Sequence, residues 1–180
     1  MSDEVSTDPA VIDRADQAYV GIGATVTMAG LAEVAHRIPE VMSWLAARNL
    51  TPAGAPFFRY NVIDMHGEFE VEVGVPVASA PAMVSAPVAG SPVTESPEVH
   101  AGVLPAGRYA TVTHVGPPNT LLAATRDLLA WAEQHDLTWD MVAIGSEERW
   151  GCRIESYLTD PRSEPDTEKW QTVLALRLAD

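Results

Sequence analysis

Cationic side chains are scarce in this 180-residue chain: 11 Lys and Arg stand against 25 Asp and Glu, a formal net charge of −14. A surface that grips phosphates needs clustered Lys and Arg, so direct nucleic-acid binding is disfavoured, while cationic or neutral ligands are favoured. Cysteine occurs once, as Cys152, which permits no internal disulfide and points to a reducing, cytoplasmic setting. No apolar run approaches the ~18 residues that cross a membrane as a helix, and the acidic N-terminus lacks the basic flank of a secretory signal. Also missing are a Walker loop, a Gly-rich dinucleotide turn after a strand and a nucleophile elbow. His36, His66, His100, His114 and His135 stand singly with no i, i+4 pair, so neither a metal site nor a cofactor is expected.

What is present suits a globular domain. Hydrophobic residues make up 47% of the chain, enough to bury a core. Residues 1–17 are polar, acidic and without a sustained period, and read as a flexible lead-in. Residues 19–27 alternate as a strand. Over 31–49 the apolar positions Leu31, Val34, Ile38, Val41 and Leu45 step by three and four, the stripe of a helix that Pro39 kinks or splits. Strands follow at 57–65 and 68–77, joined by a tight turn at His66-Gly67. In the latter, Phe69, Val71, Val73, Val75 and Val77 alternate with Glu68, Glu70, Glu72, Gly74 and Pro76, which predicts a half-buried strand with an acidic outer face. Residues 79–99 are rich in Pro and Ala and read as an irregular crossover. A second half spans 100–180: a strand at 108–115, a helix at 121–135 capped by Thr120 or Asn119, and a closing strand at 170–178.

The stretch 149–160 organises this half. It predicts one strand stopped by Asp160-Pro161, with Trp150, Cys152, Ile154 and Leu158 on a packed face. Cys152 is then a core thiol rather than a nucleophile. The opposite face carries Arg153, Glu155 and Tyr157. A carboxylate beside an aromatic ring can hold a cation with an apolar body, although a plain solvated sheet face shows the same alternation.

The two halves echo each other. Trp44 precedes Leu50-Thr51 at the spacing by which Trp131 precedes Leu137-Thr138, each within a strand–helix–strand–strand order. Such a unit used twice, at about 18–78 and 100–180, argues internal duplication. Aligned in this way, Arg59-Tyr60-Asn61 takes the place of Glu155-Ser156-Tyr157, which leaves the carboxylate to the second half alone.

The elements Leu104-Pro105-Ala106-Gly107-Arg108-Tyr109, Val115-Gly116-Pro117 and Glu155-Ser156-Tyr157-Leu158-Thr159-Asp160-Pro161, with the Gly67–Val77 strand of the first half, resemble the GyrI-like small-molecule-binding family, related to the effector-binding domains of AraC-type transcription regulators. The resemblance covers about residues 18–180. It implies an α+β fold of two βαββ units, forming a curved antiparallel sheet with helices on one face and a ligand cleft on the other. It implies multidrug-type binding of cationic or amphipathic aromatic molecules by an acidic cleft residue, here matched by Glu155. The expected ligand contacts are Glu155, Tyr157, Tyr109, Glu70 and Trp150. The short N-terminus leaves no room for a helix-turn-helix, so the expectation is a standalone sensing or sequestering protein, with a homodimer or a separate regulatory partner possible in principle. Two other readings stay open. One is a hydrolase of electrophilic cyclopropane-containing drugs, with Glu155 or Glu70 as general base and Tyr109 or Tyr157 as proton donor; the other is a gyrase or protein-interaction modulator.

Overall fold

A computed structural model describes residues 7–81 and 99–180. Most of the crossover expected at 79–99, and residues 1–6 of the lead-in, lie outside the described residues. The elements run β1 (Ala10–Arg14), β2 (Gln17–Val26), α1 (Leu31–Ala35), α2 (Ile38–Ala47), β3 (Phe57–Asp64), β4 (Phe69–Pro76), β5 (Val99–Leu104), β6 (Gly107–Val115), α3 (Leu121–Gln134), β7 (Met141–Ile144), β8 (Glu147–Trp150), β9 (Arg153–Tyr157) and β10 (Gln171–Arg177).

The helices form where the three-to-four period placed them. Pro39 falls in the first turn of α2, where its missing N–H costs nothing, so the expected stripe is split rather than bent. Thr120 does precede α3, but it makes no side-chain cap; its hydroxyl donates to the Pro117 carbonyl at 2.7 Å. Both long helices end alike, with Asn49 and Asp136 at φ 55° and with Leu50 and Leu137 amides reaching back five residues to Leu45 and Ala132 at 3.0 Å. The shared Trp-to-Leu-Thr spacing therefore marks one kind of helix stop used twice.

All strands pair antiparallel in one sheet, ordered β1-β6-β10-β9-β3-β4-β2-β5, with the β7–β8 hairpin joined through β8 to β3. Each half contributes three consecutive strands to this order, β2-β4-β3 and β6-β10-β9, and the halves meet at β3 and β9. Three strands were not expected: β1, β5 and β7, the last forming a hairpin with β8. β1 lies in the segment read as a flexible lead-in, and β5 follows the crossover. Both are partly exposed edge strands, so neither carries a strong apolar alternation.

These edge strands explain the curl. Only two residues join β1 to β2, and only two join β5 to β6, yet each link connects opposite ends of the strand order. The sheet must roll until its edges meet at that end, where the Asp16 carboxylate accepts from the Ala106 amide at 2.6 Å. The inside of the roll is filled by Tyr19, Phe57, Leu104, Tyr109, Cys152, Ile154 and Ala175, a cluster with no helical member. Outside the roll, Val34, Val41, Leu45, Leu121 and Leu128 of the helices join Val71, Val73, Ala110, Leu174 and Leu176 in the larger core. Fully burying one such aliphatic or aromatic side chain stabilises by about 1.5–3 kcal/mol. The curl also corrects the reading of β4: Glu72 and Gly74 are as buried as the valines, because the strand is central and both its faces are covered.

Candidate functional site

Neither helical layer packs mainly on the two central strands of the outer face. α1 and α2 pack on β2 and β4, and α3 packs on β6, so β3 and β9 run along a groove between the two helical layers. Register then decides which side chains line it. Glu155 pairs with Leu174 on one side and Phe58 on the other, which places all three on the helix-bearing face. Tyr157, Arg153 and Tyr60 share that face by the period of two.

Glu155 is held by two phenols from different halves of the chain. Tyr157 donates to its Oε2 at 3.1 Å and Tyr60 to its Oε1 at 3.4 Å. Burial pushes the Glu155 carboxyl above its ordinary value, and the Tyr157 hydrogen bond, the charge of Arg153 and the Tyr60 hydrogen bond offset this only in part. Burial, with the Glu155 charge second, also pushes both phenols up, so they stay protonated donors. Phe58 stacks against Tyr60 at 4.9 Å between centroids. Arg153 lies with its guanidinium 5.6 Å from the Tyr60 ring centre and 4.9 Å from that of Trp150, whose indole donates to Glu148 at 3.0 Å.

Trp150 reaches this face through a break in the expected continuous strand. β8 ends at Trp150 and β9 begins at Arg153, and opposite them β3 slips register between Tyr60 and Val62. Gly151 sits so close to Asp140 that a Cβ would fall 1.8 Å from its carboxylate, which Arg177 holds at 2.6 Å. The phase changes across this point. Trp150 joins the outer core, while Cys152 and Ile154 face the inside of the roll, so the four residues assigned to one packed face are divided, and Leu158 is exposed. Cys152 is a core thiol, fully buried and pushed up by desolvation.

Of the expected ligand contacts, the structure thus gathers Glu155, Tyr157 and Trp150 and separates the other two. Tyr109 lies inside the roll, its hydroxyl donating to the Pro105 carbonyl at 2.6 Å. Glu70 lies on the same helix-free side, in an open depression of about 400 Å³ lined with Gly23, Thr25, Asn61 and Glu72. Of the base and donor candidates for a hydrolase, the structure brings Tyr157 to Glu155 and leaves Glu70 and Tyr109 on the other face. The expectation of a cleft on the helix-free face divides likewise: a depression is there, but Glu155 is on the other side.

The sequence pattern puts Arg153 on the Glu155 face without assigning it a contact, and gives no signal that Tyr60 and Phe58 join them. It also aligned Arg59 with Glu155, whereas Arg59 stands beside Ile154 and turns inward. There Arg59 meets a second buried carboxylate. Glu72 accepts from Tyr19, from Arg59 at 3.3 Å and pairs with His100 at 3.0 Å. Burial alone would raise the Glu72 carboxyl, but the His100 and Tyr19 hydrogen bonds and the Arg59 charge outweigh it and hold it below the usual range. Among the described residues no group of three His, Cys, Asp or Glu side chains converges as a metal site would require.

A rolled antiparallel sheet with helices outside it and an aromatic, acid-centred groove between them defines a small-molecule-binding α+β domain. The chain belongs to the GyrI-like small molecule binding domain family, whose sequence pattern matches residues 7–179. The C-terminal domain of EcmrR is similar in structure, with a TM-score of 0.69 at 17% identity over 96% of this chain and 98% of that one. EcmrR in an EcmrR–DNA complex gives a TM-score of 0.70 at 17% identity over 96% of this chain, which spans 57% of the length of that one. SAV2435 bound to tetraphenylphosphonium gives a TM-score of 0.61 at 11% identity, over 96% of this chain and 94% of that one. A protein from Listeria innocua described as a hydrolase gives 0.60 at 14% identity, over 98% and 94%. At these identities the likeness is one of fold. No curated protein sequence matches the chain.

Proposed function

We propose that this protein binds multi-ring organic cations in the groove over β3 and β9, with Glu155 as counter-ion and Tyr60, Tyr157 and Trp150 as the aromatic walls. The observation that carries this reading is a desolvated carboxylate held by two phenols on the strands that lie between the two helical layers. A carboxylate shielded from bulk water attracts a cation more strongly than one on a solvated face, and rings beside it stack on a flat ligand. The tetraphenylphosphonium carried by SAV2435 is a ligand of this chemistry, and its fold is similar. The second buried carboxylate suits the role less well, because Arg59 and His100 already neutralise Glu72.

The raised Glu155 carboxyl also supports a second reading, in which it acts as a general base toward an electrophilic ligand with Tyr157 as proton donor. Glu70 and Tyr109 have no part in that version. One experiment separates the two: a cationic dye titrated by fluorescence, then recovered for mass spectrometry. Binding predicts saturation and unchanged dye. A dye or drug returned with the mass of added water would favour hydrolysis, and no saturable binding would reject both.

A further inference from the structure

The groove already contains a cation. Arg153 is two residues from Glu155 on the same face of β9, and its guanidinium lies against the Tyr60 and Trp150 rings that a bound cation would use. Its side chain is only 16% exposed. Guanidinium carries five N–H donors in a planar fork, and those of Arg153 still reach solvent, so a ligand can take them up. Among the described residues the Arg153 guanidinium makes no hydrogen bond, and its one ion pair, to Glu148, is 4.0 Å long. Glu148 is a weak partner, since it is 43% exposed and already accepts from the Trp150 indole. Glu155, for its part, is engaged by phenols rather than by the guanidinium. The groove therefore presents one desolvated carboxylate and one guanidinium whose donors the protein leaves unused, two residues apart on the same face of the strand.

We propose that Arg153 sets the charge selectivity of the groove, so that it takes aromatic cations that also bear an acid group in preference to simple monocations. This rests on the reading of the groove as the binding site. An acid group on the ligand would receive the two parallel N–H bonds that the protein does not fill, while the ring cation faces Glu155. A monocation over the same rings would instead meet the guanidinium charge at close range in a poorly solvated place, where repulsion is least screened.

Rhodamine B and its ethyl ester test this, because they share the cationic xanthene and differ in one free carboxylate. Fluorescence anisotropy on the full chain should show wild type binding the free acid about tenfold or more tighter than the ester. Arg153→Gln should remove that preference by weakening the acid and strengthening the ester. Arg153→Lys keeps the charge without the fork and should restore part of the preference, which also shows that the site folds around a changed residue. The inference is overturned if wild type binds the ester as well as the acid, or if Arg153→Gln changes both dyes alike. If Glu155→Gln weakens both dyes while Arg153→Gln does not discriminate, the groove is the site and this inference is wrong. Failure of wild type to bind either dye would sink the inference together with the reading beneath it.

Discussion

Glu155 and Tyr157 were legible because they are two apart on one strand, and period two alone puts them side by side. Tyr60 was not, since it meets Glu155 across 95 residues of sequence and only the β3–β9 register brings it there. The pair of phenols matters for pH. A carboxyl raised above its ordinary value is neutral over part of the range where a free glutamate, near ~4.3, is charged. Cation affinity should therefore fall with falling pH at values above that range. The same group should contribute to stability below its unfolded value and lose that contribution as pH rises through the folded one. Glu72, held low, has the opposite sign: its contribution is present above the ordinary range and lost as pH falls. Tyr157→Phe removes the 3.1 Å bond to ionised Glu155 and should move the midpoint of cation affinity to higher pH; Tyr60→Phe, at 3.4 Å, should move it less. Titrating a permanently charged dye across pH checks this. A midpoint within the ordinary glutamate range, or one indifferent to Tyr157→Phe, would show that the carboxylate is solvated.

Among elements, the strict alternation of 69–77 and the stripe of 121–135 carried through to β4 and α3 because each lines up its apolar side chains on one continuous face, although the other face of β4 is covered as well. The stretch 149–160 did not, and the reason is local. At Gly151 the chain passes against Asp140 and Arg177, its amide donating to the Asp140 carbonyl at 2.8 Å, and the alternation restarts in the other phase. Simple alternation across a break assigns every later residue correctly relative to its neighbours, yet puts Trp150 on the wrong side. Gly151→Ala would press a methyl into the Asp140 carboxylate and break its 2.6 Å pair with Arg177. We expect a loss of about 1–3 kcal/mol, seen in thermal denaturation as a fall in Tm of roughly 2–4 °C per kcal/mol. Adding Asp140→Ala removes the obstacle and should recover part of it, a coupling that a double-mutant cycle measures. An additive cycle would mean that the contact is not what excludes a side chain there.

At the scale of the whole molecule, the apolar content foretold a buried core, and the acidic balance suggested a cationic ligand without indicating which face of the sheet would act. That depends on the roll. Two two-residue links pull opposite edges of the sheet together, give the helix-free face its own core and enclose Glu72 there, while the helices flank the strands that carry Glu155. No local sequence signal reports a contact between strands at opposite ends of a sheet. Each face thus carries a carboxylate that the sequence suggested for binding: Glu155 in the groove and Glu70 in the depression beside Glu72. The central claim is that the groove binds the ligand, and one paired titration tests it most directly. A cationic dye is titrated against wild type, Glu155→Gln and Glu70→Gln, each substitution removing one charge and keeping shape. The groove predicts about tenfold weaker binding for Glu155→Gln, on the order of 1.4 kcal/mol, and little change for Glu70→Gln. The reverse pattern, with Glu70→Gln weakened and Glu155→Gln unaffected, would contradict it and move the site to the inside of the roll.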